Sequence, residues 1–200
     1  MNVWAIVPVK PLNRAKSRLA RVLSGPEREQ LTLRMLRYNL ETACAIEGLA
    51  GVLVISRDND VLAEARAVNG VLTLQESGIP GLNNALNQAR HMLRGADAIL
   101  VLPADIPLVV ADDVRAMLEM GRQPGSVVIA PDRHGQGTNA IFLHPPGIID
   151  FSFGVGSFAR HQAAARSQGA RVFAYQSEGL ALDIDTPEDM AVWHNKIGVT

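Results

Sequence analysis

Cysteine is almost missing from this chain: Cys44 stands alone among 200 residues. A single thiol excludes an internal disulfide and fits a reducing compartment. Its neighbours Ala43, Ala45 and Ile46 mark it as a small core residue. Long apolar runs are missing too. No stretch approaches the ~18 residues of a spanning helix, and the N-terminal VWAIV is too short for a secretion signal and meets Pro8 and Lys10 at once. The expectation is a cytoplasmic chain with no membrane partner. A net charge of −1 leaves no surplus for nucleic acid or lipid headgroups. The five histidines are scattered and no HExxH occurs, which excludes the common zinc sites. GxxxxGK[ST] and an early GxGxxG are absent. GVGSFA, from Gly154, imitates the dinucleotide fingerprint, but it lies late and outside a first βαβ unit. GVGSF is not the GxSxG nucleophile elbow.

What is present is a regular alternation. Hydrophobic residues make up 48% of the sequence, and a chain of this length buries roughly 70% of its unfolded surface without staples. Short apolar runs at Val3–Val7, Val52–Ile55, Val71–Leu74, Ile99–Leu102, Val127–Ala130, AIFLH from Ala140 and Arg171–Tyr175 read as strands. Helical spacing fills the gaps: Glu27–Glu47, Asn59–Val68, Leu82–Leu93, a helix capped by Asp112, Ser157–Ser167 and a last helix from Pro187. Thr186 caps the last one and Asp189 lies three residues past the cap. Strands alternating with helices predict parallel βαβ units in an α/β three-layer sandwich, one domain over residues 1–200.

Three stretches could carry chemistry. ILVLPADIPL, from Ile99, is a continuous apolar run suited to a central strand. Pro103 ends it, so Asp105 falls just outside the strand's carboxyl end, where open α/β sheets bind ligands. PVKPLNRAKSRLAR, after the first strand, carries Lys10, Arg14, Lys16, Arg18 and Arg21 with no acid. The chain has only three lysines, and two are here. A cationic loop at a strand end is a natural phosphate site, although a solvated basic face reads equally well from this stretch alone. In DID, Asp183 and Asp185 point to one side if the segment is extended. With Asp105 they would form an oxygen-only set suited to Mg²⁺, which shares its shell with substrate phosphates. Ser157 and the GQGT segment ending at Thr138 offer hydrogen-bond donors for an anion.

VPVKPLNRAKSRL, LPADIPL, PDRHGQGTNAIF, FGVGSFARH and LDIDTPEDM together resemble the 2-phospho-L-lactate and phosphoenolpyruvate guanylyltransferases of deazaflavin coenzyme F-420 biosynthesis. The resemblance runs nearly from end to end in five blocks. It implies a nucleotidyltransferase fold with a mostly parallel Rossmann-like sheet, and Mg²⁺-dependent transfer of GMP from GTP to a small phosphorylated carboxylic acid. It also implies roles. Lys10, Lys16 and Arg18 would surround the GTP phosphates, and Asn83, in GLNNAL, the nucleoside. Asp105 and Asp185 would hold the metal, with Asp183 in support. Lys10, Lys16, Asp105 and Asp185 would form the catalytic group, and Thr138, Gly154 and Ser157 would hold the acid. Val155 stands where the family has proline in FGPGSF, and Ile106 replaces a common leucine. The alternatives are a molybdopterin guanylyltransferase or sugar-phosphate cytidylyltransferase of the same fold, or a non-catalytic nucleotide-binding protein. A homodimer would be ordinary for such a chain.

Overall fold

The computed structural model describes residues 1–198, so the last two residues of the expected domain lie outside it. In chain order the elements are β1 (Val3–Pro8), two single-turn 3-10 segments (Leu12–Arg14 and Ser17–Arg21), α1 (Gly25–Cys44), β2 (Leu49–Ser56), α2 (Asn59–Arg66), β3 (Val71–Gln75) and α3 (Leu82–Met92). Then follow β4 (Ala98–Val101), α4 (Ala111–Met120), β5 (Ser126–Pro131), β6 (Thr138–His144), α5 (Ser157–Ser167), β7 (Arg171–Ala174), α6 (Glu178–Ala181) and α7 (Pro187–Ile197). The strands form one seven-stranded sheet in the order β3-β2-β1-β4-β6-β5-β7.

The strands read as unbroken apolar runs because both faces of the sheet are covered. Successive residues alternate between the two cores. Ile6, Leu53, Ile99 and Val101 pack on one side with Leu86 of α3 and Ala165 of α5. Ala5, Val7, Val52 and Val54 pack on the other with Leu36 and Leu40 of α1 and Leu62 of α2. Leu100, Val128 and Phe142 continue that second layer under Val114 and Met117 of α4. The result is the expected three-layer sandwich. Each large side chain taken fully out of water contributes about 1.5–3 kcal/mol.

The sheet is mostly parallel, as expected; the exception is β6, which is antiparallel to both β4 and β5 and runs against the other six strands. The link from β5 to β6 is a tight turn with no helix in it, too short for a parallel crossover. Helix α4 is not capped by Asp112. Its N-cap is Val110, whose N–H donates to the Asp113 carboxylate at 3.2 Å. Ser24 caps α1 two residues earlier than expected, and Glu27 completes the capping box rather than starting the helix. Cys44 ends α1 on the exposed side, while Ala43 and Ile46 are the neighbours that turn inward.

Gly121, at the end of α4, permits a close helix-to-sheet contact. A Cβ there would lie 2.2 Å from the fully buried Phe142 ring. Its φ of −91° is open to any residue, so steric contact alone excludes a side chain. Gly121→Ala is expected to lower unfolding free energy by about 1–3 kcal/mol, measured by urea denaturation. An unchanged midpoint would show that the ring yields freely.

Candidate active site

The carboxyl ends of the parallel strands open into a cavity of about 870 Å³. Sheet order sets its layout. Glu76 and Arg57 follow β3 and β2, Lys10 follows β1, and Asp105 follows β4. Because β6 is reversed, its first residue, Thr138, comes to the same edge. All five line the cavity.

Its centre is built by backbone geometry. Asp58, the N-cap of α2, accepts from Asp60 N–H at 2.9 Å and, through its other oxygen, from Leu12 N–H at 2.8 Å. This pins the basic loop above β2. Lys16, between the two 3-10 turns, has φ +52° and ψ +36°, the only positive φ at a non-glycine among the described residues. Such a conformation costs about 1–2 kcal/mol, and here it turns the lysine inward. From the far end of the chain, Ile184 N–H donates to the Asp105 carbonyl at 3.1 Å. Ile184 and Leu182 pack with Leu19, Leu31 and Met35, so the basic loop, α1 and DID share one small core beneath the site. The Asp189 carboxylate, in the capping box of α7, accepts from Asp185 N–H at 3.0 Å and pairs with Arg133 at 2.7 Å.

These constraints bring Lys16 Nζ to 2.8 Å from Asp105 Oδ2 and 3.3 Å from Asp185 Oδ1. The lysine side chain is only 5% exposed. Burial would lower its proton affinity, but the two carboxylates outweigh that and raise it. Burial would raise Asp105, yet Lys16, by charge and hydrogen bond, and then Lys10, by charge, hold its carboxyl below the ordinary value. Asp183 has no such cation. Burial, then the negative charges of Asp105 and Asp185, push its carboxyl up to about 6, although the Asn139 amide donates to it at 3.3 Å. Among the described residues no three Asp, Glu, His or Cys side chains stand arranged around a metal position. The Lys16 ammonium lies between the two carboxylates that were expected to hold one.

At the β6 end, Thr138 and Ser157 hydroxyls lie 3.1 Å apart. The network behind them is one that the sequence reading missed. His161 is fully buried. Its Nε2 accepts from Ser152 N–H at 3.0 Å, and its Nδ1 lies 3.0 Å from Thr138 Oγ1. Burial, then the Arg160 charge, bring its pKa down to about 4. In a neutral ring with Nε2 accepting, Nδ1 carries the proton and donates to Thr138. One hydroxyl then donates to the other, and a single hydroxyl proton is left for a ligand in the cavity. The available signal was spacing: Ser157 and His161 are four apart on α5, hence on one face.

The other expected residues divide. Gly154, φ +124°, and Ser157 both line the cavity. Arg160 donates to the Val155 and Ser152 carbonyls, which restrains the glycine loop at Val155. Lys10 lines the cavity from an exposed position. Arg18 is 73% exposed and 3.9 Å from Asp185, a weak contact. Asn83 is not among the lining residues. Its amide accepts from Phe153 N–H at 2.9 Å and donates to the Phe153 carbonyl at 3.3 Å, tying α3 to the glycine loop.

The fold is shared widely. A protein described as a nucleotide-diphospho-sugar transferase, from Desulfovibrio desulfuricans G20, superposes with a TM-score of 0.80 at 18% identity, over 98% of this chain and 88% of its own. A 4-diphosphocytidyl-2C-methyl-D-erythritol synthase from Anaerococcus prevotii gives 0.69 at 10% identity, over 98% and 96%. The architecture is that of the nucleotide-diphospho-sugar transferases. Residues 3–194 match the family described as "Guanylyl transferase CofC like", and the chain belongs to that family. It is 47% identical over 193 residues to a phosphoenolpyruvate guanylyltransferase from Rubrobacter xylanophilus, spanning 96% of this chain and 93% of that one. It is 35% identical over 190 residues to a 2-phospho-L-lactate guanylyltransferase from Methanocaldococcus jannaschii, spanning 95% and 81%. These results set aside the non-catalytic reading.

The His161 network has a pH consequence. The folded state holds its pKa below that of the unfolded chain, so the network contributes fully above pH 6.5. Its contribution falls by about 1.4 kcal/mol for each pH unit from there towards about 4. Urea titrations should show the stability advantage of the natural protein over His161→Gln shrinking by about 2 kcal/mol between pH 7 and 5. Parallel curves would mean the ring is not held neutral.

Proposed function

We propose that this enzyme moves GMP from GTP onto the phosphate of a small phosphorylated carboxylic acid, phosphoenolpyruvate or 2-phospho-L-lactate. Pyrophosphate is released, and the reaction serves deazaflavin coenzyme F-420 biosynthesis in the cytoplasm. The observation that carries this reading is the approach of Asp105 and Asp185, 80 positions apart in the chain, to a single cationic nitrogen. That meeting point lies between the cavity's β3 end and its hydroxyl-bearing β6 end. The names of the relatives supply the acceptor class.

In the reaction an acceptor phosphate oxygen attacks the α-phosphorus of GTP, and the bond from that phosphorus to the bridging oxygen of pyrophosphate breaks. A phosphate monoester, with a second pKa near 6, is mostly dianionic at neutral pH and needs no general base. Repulsion between two polyanions is the obstacle. Lys10 and Lys16 offset it from the basic loop, while Thr138, Ser157 and the Gly154 turn hold the acid in line.

The donor set fits a hard dication. All three aspartates offer oxygen, two of them already share a cation, and Asp183 carries uncompensated negative charge. Asp105 and Asp185 would hold Mg²⁺ with Asp183 beside them. The ion, when bound, neutralises phosphate charge.

The direct test incubates the protein with GTP, Mg²⁺ and each acid and identifies the adduct by mass. Asp105→Asn is expected to lower kcat by about 10²–10³-fold, whereas His134→Ala stays near the natural rate. Turnover by Asp105→Asn close to that of the natural protein would rule out its role, and no adduct with any phospho-acid would rule out the function.

A further inference from the structure

At the β3 end of the cavity, away from the aspartates, one acidic group has no task in the scheme above. Glu76 immediately follows β3, and its N–H donates to the Ser56 carbonyl at 2.8 Å, continuing the ladder by one residue. Its side chain is only 9% exposed, with Oε1 2.9 Å from Arg57 Nε. The two atoms are close but misaligned: neither makes a hydrogen bond, although both are buried. Arg57 is committed elsewhere, because its Nη2 donates to the carbonyls of Ser77 and Gly78 at 3.2 and 2.7 Å. A buried carboxylate oxygen without a hydrogen bond is costly, and the residue that carries it lines the cavity.

The surroundings suit a flat ring. Pro8, Val9, Ile55, Pro80, Leu82 and Ala85 line the same cavity, giving apolar surface to stack a base. Three strand spacings of about 4.8 Å separate β3 from β4. The base edge would thus sit about 14 Å from the aspartates, a span that a ribose and a purine fill.

Resting on the guanylyl-transfer reading, we propose that Glu76 is the residue that selects guanine, accepting hydrogen bonds from N1–H and the 2-amino group. A carboxylate only accepts. Guanine alone among the common bases presents two adjacent donors on its Watson–Crick edge. Adenine and cytosine each set a donor beside an acceptor, and uracil flanks its one donor with two carbonyls. Those acceptors would face the carboxylate and be repelled. Arg57 holds the carboxylate without competing for its lone pairs in good geometry. Asn83, whose amide is taken by Phe153, is not needed for the nucleoside.

The test compares kcat/KM for GTP, ITP and XTP in the natural protein and its variants. ITP lacks the 2-amino group, and XTP carries an oxygen there. The natural protein should prefer GTP to ITP by ~10–100-fold, the value of one charge-assisted hydrogen bond. Glu76→Gln, whose amide can both accept and donate, should bring GTP and ITP nearly level and raise XTP relative to GTP by roughly tenfold or more. Should Glu76→Gln fail to fold because Arg57 loses its counter-charge, the double variant Arg57→Gln/Glu76→Gln removes both charges and should show the same loss of preference. Arg57→Gln alone should retain the preference for GTP over ITP. Equal use of GTP and ITP by the natural protein, or an undiminished preference in Glu76→Gln or the double variant, overturns the assignment. Guanylyl transfer would still stand in those cases, because it fails only if the natural protein forms no adduct from GTP.

Discussion

The site depends on one buried ammonium. Lys16 reaches Asp105 and Asp185 together, and each partner comes from a different region of the chain. A lysine withdrawn from water is stable only when paired, and its two carboxylate partners, 33% and 40% exposed, lie on other segments. The three segments that carry them therefore have to close on one another for the fold to be complete. The small core of Leu19, Leu31, Met35, Leu182 and Ile184 beneath them supplies apolar burial, and the Ile184–Asp105 backbone bond fixes the register. The left-handed conformation of Lys16 is the strained element. Strain of this kind persists where surrounding contacts over-determine it, as they do here. An ammonium between two carboxylates also keeps them close without permanent repulsion.

Much of the fold was legible because strand periodicity and burial coincide. Val52–Ile55 and Ile99–Leu102 are unbroken apolar runs, and the sheet covers them on both faces. Thr186, Pro187 and Asp189 spelled out a helix start that the structure reproduces. Direction was not legible. Nothing in AIFLH states whether the strand runs with or against its neighbours, since alternation and apolarity are the same either way; only the brevity of the preceding turn decides. Cys44 misled for a related reason. Its apolar neighbours at Ala43 and Ile46 are buried, but a helix end turns about 100° per residue, and Cys44 falls on the outer face.

The candidate site divides along the same line. The charged residues at the centre of the cavity stood out as charge in apolar context: Asp105 after a strand, Lys10 and Lys16 in a lysine-poor chain, the paired acids of DID. Residues that act through other residues did not. Asn83 sits in a motif-like GLNNAL segment, yet both ends of its amide serve the Phe153 backbone. His161 reads as one histidine among five, and its function is visible only once Ser152 N–H is found on Nε2. A sequence displays which groups are available; which lone pairs are already occupied is a property of the packed chain.

The reversal of β6 has the widest consequence. Run parallel to β4, a strand of seven residues would carry Thr138 to the opposite edge of the sheet, about 20 Å away at 3.3 Å per residue. Reversed, it delivers Thr138 beside Asp105, and the glycine loop with Ser157 closes over the same edge, with Phe158 N–H bonded to the Gln136 carbonyl at 3.1 Å. Sheet order then becomes order along the cavity: a carboxylate beside Arg57 at β3, lysines at β1, acids at β4, hydroxyls at β6. Neighbouring strands are held about 4.8 Å apart by their hydrogen bonds, so this spacing is rigid in a way that loop-to-loop distances are not. Two negatively charged reactants can be forced into line only on such a ruler, because their mutual repulsion acts against any frame free to relax.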